Sequence, residues 1–182
     1  PRDVRLNLAN QMTAMGHRFK QASVQSIAPE SKQVTLDDGT TLRYDFLVVA
    51  LGAVDANYGV TGVDAHAFSF KSAAQCDAIS DRLRTLQATA EASRVTIIGA
   101  GITGVEALGE ILRQGTPGNL KITVLEAQTQ LLPNSPKGLD NYIRSLCEPY
   151  PVEFRCNETA QRIRQKSVLL GSGKSLSSDL TI

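Results

Sequence analysis

The stretch Val95-Thr96-Ile97-Ile98-Gly99-Ala100-Gly101-Ile102-Thr103-Gly104-Val105-Glu106 decides how this chain is read. Its first four residues are apolar or β-branched without a break, the pattern of a strand buried on both faces. The strand runs straight into G-x-G-x-x-G, and a helical pattern follows to about Gln114. Each glycine has a physical purpose at that spacing. Gly99 permits the tight reversal, Gly101 lets the backbone approach a pyrophosphate, and Gly104 lets the helix lie close on the sheet. The helix N-terminus then offers unpaired N–H groups and partial positive charge to phosphate oxygens. Glu126 ends the next strand, Lys121–Glu126, and lies 22 residues beyond Gly104. A carboxylate there accepts hydrogen bonds from ribose hydroxyls and repels a 2′-phosphate. No Arg follows it (Ala127-Gln128-Thr129), so the expected ligand is NAD rather than NADP. The competing reading is a Gly-rich turn in a sheet protein with no ligand.

Working outward, Gly115, Pro117 and Gly118 break the helix. Leu139–Cys147 reads as a helix, Val152–Arg155 as a short strand, and residues 160–182 as short strands and turns. On the N-terminal side, Ser72 caps a helix over roughly 73–89 whose apolar members are Ala73, Ile79, Leu83 and Leu86. Residues 53–70 read as a Gly-containing connection. Residues 46–51 (Phe-Leu-Val-Val-Ala-Leu) form an unbroken apolar run that reads as another fully buried strand, ended by Gly52. Before it, Asp37-Asp38-Gly39 turns a hairpin. Val4, Leu8, Met12 and Met15 fit an amphipathic helix over 3–15. Strand, helix, strand, helix, strand in this order implies an α/β fold, a parallel sheet wrapped by helices with β-meanders attached. On the main helix, Glu106 and Glu110 stand at i, i+4. The spacing of Glu106 from Gly101 places it in the first turn, where a carboxylate is electrostatically favoured. The pair is read either as solvated surface charge or, for Glu106, as a group facing a bound nucleotide.

Composition excludes several classes. With 182 residues, 42% of them hydrophobic and 20% charged, the chain has material for a core, so disorder is excluded. A formal net charge of +1 gives no basic field for nucleic acid. No apolar run approaches the roughly 18 residues of a membrane helix. Cys76, Cys147 and Cys156 match no zinc spacing and no CxxC, so no metal site is expected and the thiols read as incidental in a reducing compartment. His17 and His66 read as surface or structural residues.

An internal repeat bears on the domain count. Residues 32–48 align without gaps with residues 166–182, and six of 17 positions are identical: Lys32/Lys166, Val34/Val168, Leu36/Leu170, Gly39/Gly173, Leu42/Leu176 and Asp45/Asp179. Upstream, Phe19, Val24 and Ile27 echo Phe154, Ala160 and Ile163 with a one-residue slip. Two unrelated hairpins could look alike; a duplication explains more. The second copy follows a Gly-rich turn, so the first is expected to follow one encoded before residue 1. A Gly-containing turn is likewise expected after Ile182. The chain is thus expected to be truncated at both ends, and reading the parent gene tests this.

At this point the chain resembles a known family. Gly-Ala-Gly-Ile-Thr-Gly-Val-Glu (99–106) with Gly109-Glu110 is similar to the NADH-binding motif of type II NADH dehydrogenases, members of the pyridine nucleotide–disulfide oxidoreductase superfamily. Tyr44–Gly52, Gly62–Ser72 and Leu131-Leu132-Pro133 resemble the same group, so the resemblance covers essentially the whole chain. One departure is Ala107-Leu108 where the family often has Leu-Ala. The resemblance implies an NAD domain inserted into an FAD domain of similar Rossmann-like fold. It assigns 1–72 to part of the FAD domain, 73–92 to a connecting helix and 93–182 to the NAD domain. It implies hydride transfer from NADH to FAD and then electron transfer to a quinone. Gly99, Ala100, Gly101, Ile102, Thr103, Gly104 and Glu126 would bind NADH, and Glu106 would lie near the nicotinamide as the catalytic candidate. Val24, Ala50, Leu51 and Gly52 would lie along the FAD. A cytoplasmic protein is expected, with membrane-surface attachment through residues beyond Ile182 and a homodimer as further expectations. The chain alone is expected to bind flavin poorly and to be inactive. The alternatives are a flavin reductase serving ferredoxin, a disulfide or a sulfide–quinone couple, and a non-catalytic nucleotide-binding or redox-sensing module.

Overall fold

A computed structural model describes residues 6–114, 119–136 and 138–182. The chain divides into two units, Pro1–Ala53 and Val54–Ile182. In the first, Asn7 caps α1 (Leu8–Ala14) by accepting a hydrogen bond from the Asn10 N–H. The helix is shorter than the expected 3–15, of which Val4 lies outside the described residues, and none of its residues is buried. Strands β1 (Val24–Ala28), β2 (Gln33–Leu36) and β3 (Thr41–Arg43) form an antiparallel meander in that order. Val34 and Leu36 alternate inward along β2, as period-2 patterning requires. The expected hairpin turn is present, with the Gly39 N–H donating to the Leu36 carbonyl.

The buried strand expected over 46–51 is not there. That segment forms no strand, and Phe46 is 95% and Val48 86% exposed. The reason is pairing. A strand buried on both faces needs a neighbour for its N–H and C=O groups. Among the described residues none pairs with 46–51.

The second unit begins with a short helix, α2 (Val63–His66), inside what the sequence shows only as a connection. Then come α3 (Ala73–Gln87), β4 (Ser93–Ile98), α4 (Ile102–Arg113), β5 (Leu120–Leu125), α5 (Leu139–Cys147) and β6 (Val152–Arg155). A second meander, β7 (Ala160–Arg164), β8 (Ser167–Leu170) and β9 (Ser175–Ser177), leads into β10 (Leu180–Thr181). Four strands make one parallel sheet in the order β10-β4-β5-β6. The helix-breaking residues Gly115, Pro117 and Gly118 lie outside the described residues.

The core follows from strand parity. Val95 and Ile97 of β4, with Ile122 and Val124 of β5, pack with Ile79, Leu83 and Leu86 of α3, Leu108 and Ile111 of α4, and Ile143 and Cys147 of α5. The alternate residues Ile98 and Leu125 face the meander, where Val168 and Leu170 are buried. Each such buried aliphatic side chain contributes about 1.5–3 kcal/mol. Ser72 and Gln75 form a reciprocal capping box at the start of α3, as the cap reading requires. Ala73, expected on its apolar side, is exposed because it sits in the first turn ahead of the packed stripe. The division by packing at Ala53 falls before the sequence boundary at 72. Residues 54–72 are tied to the second unit, where Thr61 bridges Arg162 and the Phe68 N–H donates to the Thr181 carbonyl at 2.8 Å.

Candidate functional site

Strand order fixes where a ligand can sit. From β4 the chain moves through α4 to β5 on one side, while β10 occupies the other. Open parallel sheets bind ligands at such a switch point, beyond the carboxyl ends of the strands. There an open cleft of about 230 Å³ is lined by Gly99, Gly101, Ile102, Thr103 and Gly104 and also by Phe70 and Ile182. The sequence pointed to the first group. Phe70 and Ile182 are brought in by tertiary packing.

The turn is built as its sequence demands. Gly99 has φ +98° and its N–H donates to the Leu125 carbonyl at 2.8 Å. A Cβ on Gly104 would collide with the Gly99 carbonyl oxygen, so only glycine lets α4 start this close to β4. A Cβ on Gly101 would meet no protein atom within 4 Å. The space over Gly101 is therefore left open by the protein, as close approach of a pyrophosphate requires. Gly101 caps α4 with no side chain bonded across the helix start, which leaves the first N–H groups to an anionic ligand.

Glu126 is 8% exposed. One carboxylate oxygen accepts the Ala100 N–H at 2.7 Å and the other accepts the Gln128 N–H at 2.8 Å. Each oxygen keeps a further lone pair for a ribose hydroxyl. Ala100 plays a different part from the one expected. It is fully buried, its N–H is held by Glu126, and its carbonyl accepts the Leu132 N–H at 2.9 Å. It shapes the turn and has no N–H to spare for a phosphate.

The two helix carboxylates separate cleanly. Glu110 is bonded to Arg113 at 2.8 Å and to Gln114 at 3.0 Å. The hydrogen bond from Arg113, helped by that from Gln114, holds its carboxyl down to about 2. Glu110 is thus a surface ion pair. Glu106 is exposed and has no side-chain partner among the described residues. It lies in the second turn, since the helix starts at Ile102 and its first turn holds no acid. That corrects the first-turn position expected from its spacing. Glu106 is one turn along from Ile102, a residue of the cleft wall, and does not itself line the cleft. Val24, Ala50, Leu51 and Gly52 belong to the first unit and are exposed there.

The loop after β5 enters the sequence reading only through the resemblance of Leu131-Leu132-Pro133, with no role assigned to it. Leu132 has φ +48°, a left-handed conformation rare for a branched side chain. The Leu131 N–H donates to an Asp140 carboxylate oxygen at 3.2 Å, and Arg144 donates to the same oxygen at 2.9 Å. Arg144 also lies over the Phe154 ring and donates to the Cys156 sulfur at 3.1 Å. All three cysteines are free thiols, and burial pushes the Cys147 thiol up.

The chain is similar to known proteins in sequence and in fold. The sequence pattern of the family described as pyridine nucleotide-disulphide oxidoreductase matches residues 2–182. A type II NADH:quinone oxidoreductase of Staphylococcus aureus is 33% identical over 77% of this chain and 40% of its own length. The chain thus spans about 40% of the curated relatives it matches. Among solved structures, a ferredoxin reductase from Rhodopseudomonas palustris superposes with a TM-score of 0.82 at 18% identity, covering 100% of this chain and 44% of that one. NDH2 from Plasmodium falciparum, solved with NADH, superposes with a TM-score of 0.72 at 20% identity, covering 90% and 39%. These likenesses show the fold: a Rossmann-like α/β unit joined to part of a second.

Proposed function

The chain belongs to the pyridine nucleotide-disulphide oxidoreductase family, and on that premise we propose that it is the NADH-binding portion of a flavin-dependent NADH:quinone oxidoreductase. One observation carries the nucleotide assignment: the open, glycine-lined cleft at the end of β4, with the buried Glu126 carboxylate fixed to the Ala100 amide beside it. The 33% identity to a type II NADH:quinone oxidoreductase supports quinone as the acceptor.

Each group in the cleft has a defined task. Gly101 admits the pyrophosphate, and the N–H groups of Ile102, Thr103 and Gly104 meet its charge together with the dipole of α4. Glu126 accepts the adenosine ribose hydroxyls through its remaining lone pairs, and its charge repels a 2′-phosphate. Phe70 and Ile182 line the apolar end of the cleft. Glu106, beyond the cleft wall, would lie near the nicotinamide and orient the ring. Val24, Ala50, Leu51 and Gly52 would hold the FAD, which when bound would supply the hydride-accepting chemistry.

Titration calorimetry tests the nucleotide assignment. NADH is expected to bind at least about tenfold more tightly than NADPH, a difference of about 1.4 kcal/mol. Glu126→Gln removes the charge, keeps one acceptor oxygen and narrows that ratio. Glu126→Arg inverts it by exchanging repulsion for attraction. Equal binding of NADPH by the unaltered chain would overturn the role of Glu126, and no binding of either nucleotide would overturn the assignment. The acceptor is tested in the full-length protein by NADH oxidation with added quinone, ferredoxin or disulfide. Turnover with quinone is the expected result.

A further inference from the structure

The loop after β5 does more than carry the chain from Glu126 to α5. It grips Ala100 through both of its peptide units, with Glu126 on the N–H and the Leu132 N–H on the carbonyl. No peptide bond among the described residues is cis, so the Gly101 N–H points opposite to the Ala100 carbonyl. That carbonyl is drawn toward the loop of β5, on one side of β4. The Gly101 N–H is therefore turned toward the other side, where β10 lies and where the cleft opens between Gly101 and Ile182. Whether the turn presents this N–H to a ligand depends on Leu132 staying where it is.

Leu132 needs help to stay. Its left-handed backbone is strained for a leucine and persists only where its surroundings over-determine it. Two anchors do so. Its side chain is buried in the main core. The preceding N–H, that of Leu131, is held by Asp140 from the first turn of α5. Asp140 is itself oriented by Arg144 one turn later. We propose that Asp140 is a positioning residue of the nucleotide cleft, acting through Leu131 and Leu132 on the Ala100–Gly101 peptide. The proposal rests on the nucleotide reading above. It assigns to that site a residue that never touches the ligand.

The test pairs binding with amide hydrogen exchange. Asp140→Ala is expected to weaken NADH binding about 5–10-fold, the loss of roughly one hydrogen bond. Exchange at the Leu131 and Leu132 amides should rise about tenfold, with β4 amides unchanged. Asp140→Asn keeps the oxygen that accepts the Leu131 N–H and should restore affinity to within about threefold. Arg144→Ala strips the Phe154 and Cys156 contacts and the bond that orients Asp140, so it should lower thermal stability and weaken NADH binding, by less than Asp140→Ala does. In the unaltered chain, adding NADH should slow exchange at Leu132, a readout that survives any failure of a variant to fold. Unchanged exchange at Leu132, in Asp140→Ala or on adding NADH, would overturn the clamp. So would an Asp140→Asn protein that binds as poorly as Asp140→Ala. An unaltered chain that binds no NADH overturns the nucleotide reading instead, while exchange in Asp140→Ala still decides the clamp.

Discussion

Residues 24–52 and 160–182 begin as the same structure and end differently. Both meanders pair with the same register. Val24 faces Leu36 as Ala160 faces Leu170, and in each a bulge follows before the next pair. Gln33, Val34 and Thr35 face Arg43, Leu42 and Thr41 as Ser167, Val168 and Leu169 face Ser177, Leu176 and Ser175. Even the exits match, with the Tyr44 N–H on the Lys32 carbonyl and the Ser178 N–H on the Lys166 carbonyl. Beyond that point Leu180–Thr181 joins β4 as a buried parallel strand, whereas residues 46–51 stay unpaired. A hydrophobic run becomes a strand through its neighbour.

The sharpest way to break this comparison is to truncate the equivalent residues Leu180 and Phe46. Leu180 is 2% exposed in the main core, so Leu180→Ala should cost about 2–5 kcal/mol in urea unfolding. Phe46→Ala should change stability by no more than about 0.5 kcal/mol. A Phe46→Ala variant as damaged as Leu180→Ala would mean that the first run is buried in solution.

A smaller effect sharpens the same contrast at the aspartates that precede the runs. Asp179 accepts the Arg94 N–H at 2.9 Å and returns its own N–H to the Arg94 carbonyl at 2.7 Å, stapling β10 onto β4. Asp45 has no such partner among the described residues. Asp179→Ala should therefore cost about 1.5 kcal/mol, and Asp45→Ala close to nothing. Equal losses would show that Asp45 also staples a strand.

What the sequence revealed follows the same physical line. Local signals read well. The capping box at Ser72, the turn at Gly99, and the helix Leu139–Cys147 depend on neighbouring residues, and the structure has each of them. The repeat was visible, but its upstream slip is two residues. The β1–β2 connection spans residues 29–32 and the β7–β8 connection only 165–166, and a turn length is invisible to pairwise matching of apolar positions. Non-local facts did not read. Apolarity in 46–51 says what the segment avoids, not what it pairs with. The position of Glu106 shifted because the helix begins at Ile102, a matter of backbone geometry. The grip on Ala100 runs through main-chain groups of Leu131 and Leu132, which carry no signature in side-chain pattern.

The smallest expected difference lies in the hairpin turns themselves. In both, the residue before the turn donates its N–H across it, Leu36 to the Thr40 carbonyl and Leu170 to the Lys174 carbonyl, and its own carbonyl accepts the N–H of the turn glycine, Gly39 or Gly173. Only the first turn adds a carboxylate. Asp38 accepts the Thr40 N–H at 2.9 Å and pairs with Lys20 at 2.8 Å. The hydrogen bond from Lys20, with those from Thr40, holds its carboxyl well below the usual aspartate range. A carboxyl depressed in the folded state contributes its stability above the ordinary value of 3.8, and loses that contribution as pH falls through the lowered one. The pair is exposed to solvent, so salt screens it and the effect is slight. Acidifying from about pH 5 toward pH 2 should therefore lower the protection factor of the Thr40 amide. In the second turn Ser172 stands in place of the aspartate, and the Gly173 amide, which donates to the Leu170 carbonyl, should hold its protection. If both amides lose protection together, the turns are opened by the titration of something else. If neither does, the Asp38 carboxylate holds no structure that the backbone bonds do not already hold.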